Sequence, residues 1–175
     1  MVADLVMSNM TSVDVRSFFA TMGAFPTGVA VVTTKTPDEE LHGLTCNAFS
    51  SVSADPPLIL ICVDRQSRTL PALKSSGRFA VNFIAAGHER VSNLFASKAT
   101  EKFDDVYWEP ASNGMPVLTH DAIAYASCKI EEWVSAGDHL VIIGLVEDVQ
   151  PPSPEKEPLV YFRKQYGIVQ FPTTS

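Results

Sequence analysis

The chain has 175 residues, 46% of them hydrophobic and 19% charged, with 13 Lys and Arg against 20 Asp and Glu for a formal net charge of -7. That length suits one domain with its own core, and the acidic balance would repel a phosphate backbone, which argues against a nucleic-acid partner. No apolar run reaches the roughly 18 residues of a membrane-spanning helix, and the start MVADLVMSNMTSVD lacks the basic region of a secretory signal. Residues 1–12 therefore read as a flexible cytoplasmic leader and residues 13–172 as a single domain.

Ser12 is the expected N-cap, with Asp14 in the first turn, of an amphipathic helix over 13–22 whose Val15, Phe18, Phe19 and Met22 share a face. Pro26 and Gly28 end it. The β-branched run VAVVTT (29–34), the turn PDEE (37–40) and the return through His42 predict a hairpin. Residues 43–57, GLTCNAFSSVSADPP, are unusual: Thr45, Asn47, Ser50, Ser51 and Ser53 put hydrogen-bonding groups into strand-like sequence. Such a segment can wall a flat polar ligand, or its hydroxyls can simply satisfy neighbouring backbone. A strand LILICV (58–63), a helix over 69–75, a strand FAVNFI (79–84) and a helix over 88–97 follow. Residues 122–134 then alternate, with Ala124, Ala126, Cys128 and Ile130 on one face, and HLVIIGLVEDV (139–149) and PLVYF (158–162) are further strands. PPSPEKEP (151–158) reads as a rigid hairpin loop. Long strands with short turns imply a mainly β protein, an antiparallel Greek-key barrel with covering helices, rather than a doubly wound parallel sheet.

No GxGxxG, phosphate-binding glycine loop, GxSxG elbow or HExxH is present. Cys46, Cys62 and Cys128 are odd in number and set in apolar surroundings, which fits reduced core thiols. His42, His88, His120 and His139 lack metal-ligand spacing, and no metal is expected.

The runs FPTGVAVVTT (25–34), GLTCNAFSSVSADPPLILICV (43–63), QSRT (66–69), GRFAVNFIAAGHERVSNLFA (77–96), KF (102–103), AGDHLVIIGLVEDV (136–149) and PLVYFRKQYG (158–167) together resemble the short-chain flavin reductases of two-component monooxygenases. The resemblance implies an FMN-binding split β-barrel and a homodimer with the flavin site near the subunit interface. It implies FAD or FMN as the flavin, NADH or NADPH as the reducing substrate, and a separate flavin-dependent monooxygenase that receives reduced flavin.

Carried onto this chain, the resemblance makes Thr45, Cys46, Asn47, Ala48 and Phe49 the ring contacts, with Ser51, Val52 and Ser53 continuing that wall. Ser67, Arg68 and Thr69, at a helix start, suit the phosphate. The turn AAGHERV, with Ala85, His88, Glu89 and Arg90, is a second phosphate candidate, joined by Phe95, Lys102 and Phe103 downstream. His139 follows a glycine turn and starts a strand, as does the family's nicotinamide-positioning histidine. Pro26, Thr27, Gly28 and Tyr166 complete the expected nicotinamide side. Hydride passes directly between the two rings, so no catalytic acid or base is expected. Three other readings stay open: a flavin-binding protein without reductase activity, a split-barrel oxidase, and a purely structural barrel.

Overall fold

In the computed structural model, which describes residues 13–170, Asp14 and not an earlier residue caps the first helix. The expected leader and the Ser12 cap lie outside the described residues. The Asp14 carboxylate accepts from the Ser17 backbone N–H at 3.0 Å and its hydroxyl at 3.1 Å, which holds the Asp14 pKa below the usual value. This helix, α1 (Val15–Met22), ends where the Gly23 N–H returns to the Phe19 carbonyl, and none of its residues is buried.

Next come β1 (Thr27–Gly28), β2 (Ala30–Lys35), β3 (Leu41–Cys46), β4 (Phe49–Ala54) and β5 (Pro57–Asp64). The middle of the chain forms α2 (Leu70–Ser76), β6 (Arg78–Ile84), α3 (Glu89–Ala96), β7 (Glu109–Pro110) and β8 (Pro116–Val117). Two long strands, β9 (Ala122–Ala136) and β10 (His139–Gln150), precede β11 (Leu159–Phe162) and β12 (Gln165–Ile168). The short elements β1, β7, β8 and β12 have no periodicity for a sequence reading to find.

Seven strands pair in the order β3-β2-β6-β9-β10-β5-β4, every pairing antiparallel. The edge strands β3 and β4 are consecutive in the chain, joined only by Asn47 and Ala48. So short a link forces the sheet to curl until its two edges meet, yet β3 and β4 share no ladder. The result is a barrel split along one seam, as expected. At the seam the Cys62 N–H donates to the Ala48 carbonyl at 3.0 Å.

Alternate residues of each strand point inward: Val32, Ile61, Val63, Phe79, Val81, Cys128 and Ile142 are all buried in one cluster. Leu70 and Leu73 of α2 pack into the same cluster. Residues 29–34 are buried on both faces because Val91 and Phe95 of α3 pack against Val29 and Val31 from outside. Asn82, fully buried on β6, donates to the Val31 carbonyl and Thr33 Oγ1 and accepts from the Leu118 N–H. No polar atom of its amide is stranded, so it ties the 116–118 segment to the barrel without a desolvation penalty.

The expected hairpin at 151–158 is not one. Beyond β10 the chain leaves the barrel for a separate three-stranded sheet, β1-β11-β12. Lys156 Nζ pins this crossing by donating to the carbonyls of Thr119, His120 and Ala122 at 3.0, 2.9 and 3.0 Å. The prolines signal rigidity but not which strand comes next.

Gly144 on β10 lies where the Phe79 ring crosses the barrel: a Cβ there would stand 2.7 Å from Phe79 Cζ and 2.9 Å from Cys128 Cβ. Gly144→Ala is expected to cost about 1–3 kcal/mol by overpacking, read as a lower midpoint in denaturant unfolding; an unchanged midpoint would show that the core yields there.

Candidate functional site

Three clefts follow one another along edge strand β3 and the Asn47 that follows it, a span of roughly 13 Å from Gly43 at about 3.3 Å per extended residue. The first, about 230 Å³, is lined by Gly43, Arg68, Thr69 and Lys102 among others. The Gly43 carbonyl accepts from Thr69 Oγ1 at 3.1 Å and from Lys102 Nζ at 3.2 Å, and Lys102 also donates to the Phe95 carbonyl at 2.7 Å. Neither Arg68 nor Lys102 meets a carboxylate among the described residues. Burial first and the neighbouring Arg68 second lower the Lys102 pKa. Two cations held together without a counter-charge form a receptor for an anion, whose arrival would relieve their repulsion. Only glycine fits at 43, because a Cβ would lie 2.6 Å from the Phe95 ring.

The second cleft, about 270 Å³, is lined by Thr45, Asn47, Ser92, Asn93, Ala96, Tyr161 and Tyr166, with Val29 behind. The Tyr166 hydroxyl donates to Asn93 Oδ1 and is bonded to Ser92 Oγ, each at 2.9 Å, so the β11–β12 hairpin is tied to α3 across it. The third, about 440 Å³ and mostly apolar, runs past Pro26, Thr27 and Gly28 to Cys46, Asn47, Phe49 and Phe83. Asn47 is exposed and borders both. In the wall of the third cleft, Thr27 Oγ1 is buried without a hydrogen-bond partner among the described residues. A stranded buried hydroxyl costs stability unless something else satisfies it.

The structure sorts the residues expected at the site. Thr45, Asn47, Phe49, Arg68, Thr69, Lys102, Pro26, Thr27, Gly28 and Tyr166 line these clefts. Several contribute less than their side chains promise. The Thr45 hydroxyl is taken by the Ser92 carbonyl, as the structural alternative for this strand supposed. The Cys46 thiol points into the barrel core, and burial pushes its pKa up to about 11. Thr69 is buried, and Ser67 Oγ accepts from its N–H. Ala48 in the β3–β4 link is exposed, and along edge strand β4 Ser51 and Val52 are exposed and Ser53 half-buried, with a register slip between Ser51 and Ser53.

Other expected site residues stand apart from the cleft surfaces. Phe95 is 1% exposed and packs beneath Gly43 with its edge to Phe103, so it supports the cleft from below and Phe103 supports it in turn. Ala85 is buried, its N–H bonded to the Asp121 carbonyl. His88, Glu89 and Arg90 stand at the opposite end of α3 from Ala96 and line none of the three clefts. His88 Nδ1 pairs with Asp121 at 2.7 Å and Arg90 with the Asp105 carbonyl at 3.0 Å. His139 is 43% exposed, beside Asp138 at 2.8 Å and opposite Asp64, and does not share a cleft with Pro26–Gly28 of its own chain. Sequence reading missed Ser92, Asn93 and Ala96; the polar pair on an otherwise amphipathic helix, with 93 and 96 one turn apart, was the available signal.

The flavin reductase like domain family pattern matches residues 22–170. The chain belongs to this family. A flavin reductase (NADH) of Kitasatospora aureofaciens is 47% identical over 156 residues, 89% of this chain and 82% of that one. The reductase subunit of a flavin-dependent monooxygenase from Mycobacterium tuberculosis is 36% identical over 164 residues, 93% of this chain and 87% of that one. Among solved structures, an NADH:FAD oxidoreductase of Streptomyces globisporus in complex with NAD and FAD fragments superposes with a TM-score of 0.82 at 32% identity, covering 91% of this chain and 94% of that one.

A flavin asks for an anion receptor, a polar edge and an apolar wall, and this family member has all three in sequence along β3. The residues therefore fit the group. Thr27→Val removes an unsatisfied hydroxyl at nearly constant volume, so the flavin-free protein should unfold at the same or a higher denaturant concentration; a clear loss of stability would mean the hydroxyl already has a partner.

Proposed function

We propose that this flavin reductase family member is an NAD(P)H:flavin oxidoreductase that reduces FAD or FMN and supplies it to a separate monooxygenase. The observation that carries the reading is the order of the clefts: cations at one end of β3, polar groups in the middle, an apolar wall with one stranded hydroxyl at the other. Bound flavin supplies the hydride-accepting ring and NAD(P)H the hydride. Arg68 and Lys102 hold the flavin phosphate. Asn47 and the backbone of 45–49 meet the polar ring edge, with Ser51, Val52 and Ser53 continuing the surface. Pro26, Thr27, Gly28 and Tyr166 bring the nicotinamide alongside. No proton needs to be held for the transfer itself, so the residues act by positioning and by excluding water.

A second feature supports a homodimer. The outward face of β5 and β10 carries Leu58, Leu60, Cys62, Val141 and Ile143, only half-buried and uncovered by any helix of the described chain. His139 lies on that face. A second copy seated there would bury the apolar surface and bring His139 toward the neighbouring subunit's nicotinamide site, a role it lacks within one chain. The family's monooxygenase-reductase members favour a monooxygenase as recipient of the product.

Purified protein with NADH or NADPH and free FAD or FMN is expected to lose absorbance at the nicotinamide band and to bleach the flavin anaerobically; no turnover in any of the four combinations would refute the reading. Arg68→Gln should raise the flavin dissociation constant about tenfold, as expected for one charged hydrogen-bonding partner, with little change in unfolding midpoint because Arg68 is exposed. Equal affinity would move the phosphate elsewhere.

A further inference from the structure

One cation cluster is left over. The tip of the β11–β12 hairpin is the two-residue turn Arg163–Lys164, both in the left-handed region at φ 47° and 65°. Such turns favour Asn-Gly, because side chains with a Cβ are strained there. Arg and Lys in that conformation point to a use for their side chains. The Arg163 backbone N–H donates to the Gly23 carbonyl at 3.0 Å, which clamps the turn to the end of α1. Its guanidinium lies over the Phe162 ring, 5.0 Å from the centroid, and is thereby oriented. With Arg16 of α1 these residues surround a cleft of about 550 Å³ floored by Phe19, Ala20 and Ala24. None of the three cations meets a carboxylate among the described residues, although the chain is acidic overall.

This cleft adjoins the apolar one. Residues 23 and 24 wall the first and residues 25 to 28 the second, and a third hollow lined by Pro26, Phe162 and Tyr166 lies beside both. We infer that Arg16, Arg163 and Lys164 bind the phosphate groups of the nicotinamide dinucleotide whose reactive ring lies against Pro26–Gly28. The inference rests on the reductase reading and adds to it the site of the second substrate's charge. Guanidinium groups fork onto phosphate oxygens, and the apolar floor can take the sugar or adenine faces. The flavin phosphate and the dinucleotide phosphates thus occupy separate cationic clefts, so both substrates can be bound together.

The turn supplies its own control. Arg163→Asn with Lys164→Gly removes both charges and installs the pair the turn prefers, so this double variant should melt at or above the temperature of the unaltered protein. Its KM for NADH or NADPH should rise about tenfold or more, by loss of charged contacts, while its flavin dissociation constant stays the same. Arg16→Gln should shift KM in the same direction. ADP, titrated calorimetrically into the flavin-loaded protein, should bind the unaltered chain and the Arg68→Gln variant alike and bind the double variant at least tenfold more weakly. Unchanged KM and unchanged ADP affinity in the folded double variant would overturn the inference while leaving the reductase reading intact. If the unaltered chain oxidised neither nucleotide, the reductase reading would fail, and the ADP titration would still decide whether the cleft takes nucleotide phosphate.

Discussion

The link of two residues, Asn47 and Ala48, governs this structure. It joins strands that stand at opposite edges of a seven-stranded order, and no flat sheet could satisfy it. The sheet must roll, and rolling brings β3 and β4 together without zipping them. Exposed strand edges are usually a hazard, since unpaired backbone groups invite aggregation. Here the unzipped seam is where the clefts lie, with α3, the β11–β12 hairpin and residues 23–28 built around it. In the proposed reading, flavin binding uses an edge that the fold had to leave open.

Charge is distributed to match. An acidic chain gains nothing in stability by gathering unpaired cations, yet Arg68 with Lys102, and Arg16 with Arg163 and Lys164, collect around separate clefts without carboxylates. Elsewhere cations are spent on structure: Lys156 bonds three carbonyls to fasten the crossing out of the barrel, and Arg90 fastens the loop at Asp105. Lys102 belongs to both groups, since it closes two backbone carbonyls while facing the cleft. The distinction between structural and cleft-facing cations is thus geometric and not a property of residue type.

Much of the fold was legible beforehand because its long elements carry strong periods. The alternation through Ala126, Cys128 and Ile130, the hairpin of β2 and β3, and the helical spacing of Val91, Leu94 and Phe95 all reflect burial on one face, which sequence records directly. The polar run at 43–57 stands out in the sequence, but its hydrogen-bonding groups divide: the Thr45 hydroxyl donates to the Ser92 carbonyl, and the Asn47 amide borders two clefts. Residue type shows that a side chain can form a hydrogen bond, and only the neighbour decides with whom. The AAGHERV turn illustrates the same point, since His88 and Arg90 have partners in Asp121 and the Asp105 carbonyl at the far end of α3.

What the sequence determined by itself was local: strand and helix positions, inward-facing residues, and an order of motifs sufficient to identify the family and its chemistry. The tertiary structure alone decided the rest. It showed that the proline-rich segment crosses to a second sheet, that Phe95 is buried support, that Thr27 carries a stranded hydroxyl, and that a strained turn at 163–164 meets α1. Each of these depends on pairs of residues distant in the chain, and their approach is set by strand pairing and barrel closure, which leave no periodic trace in the sequence.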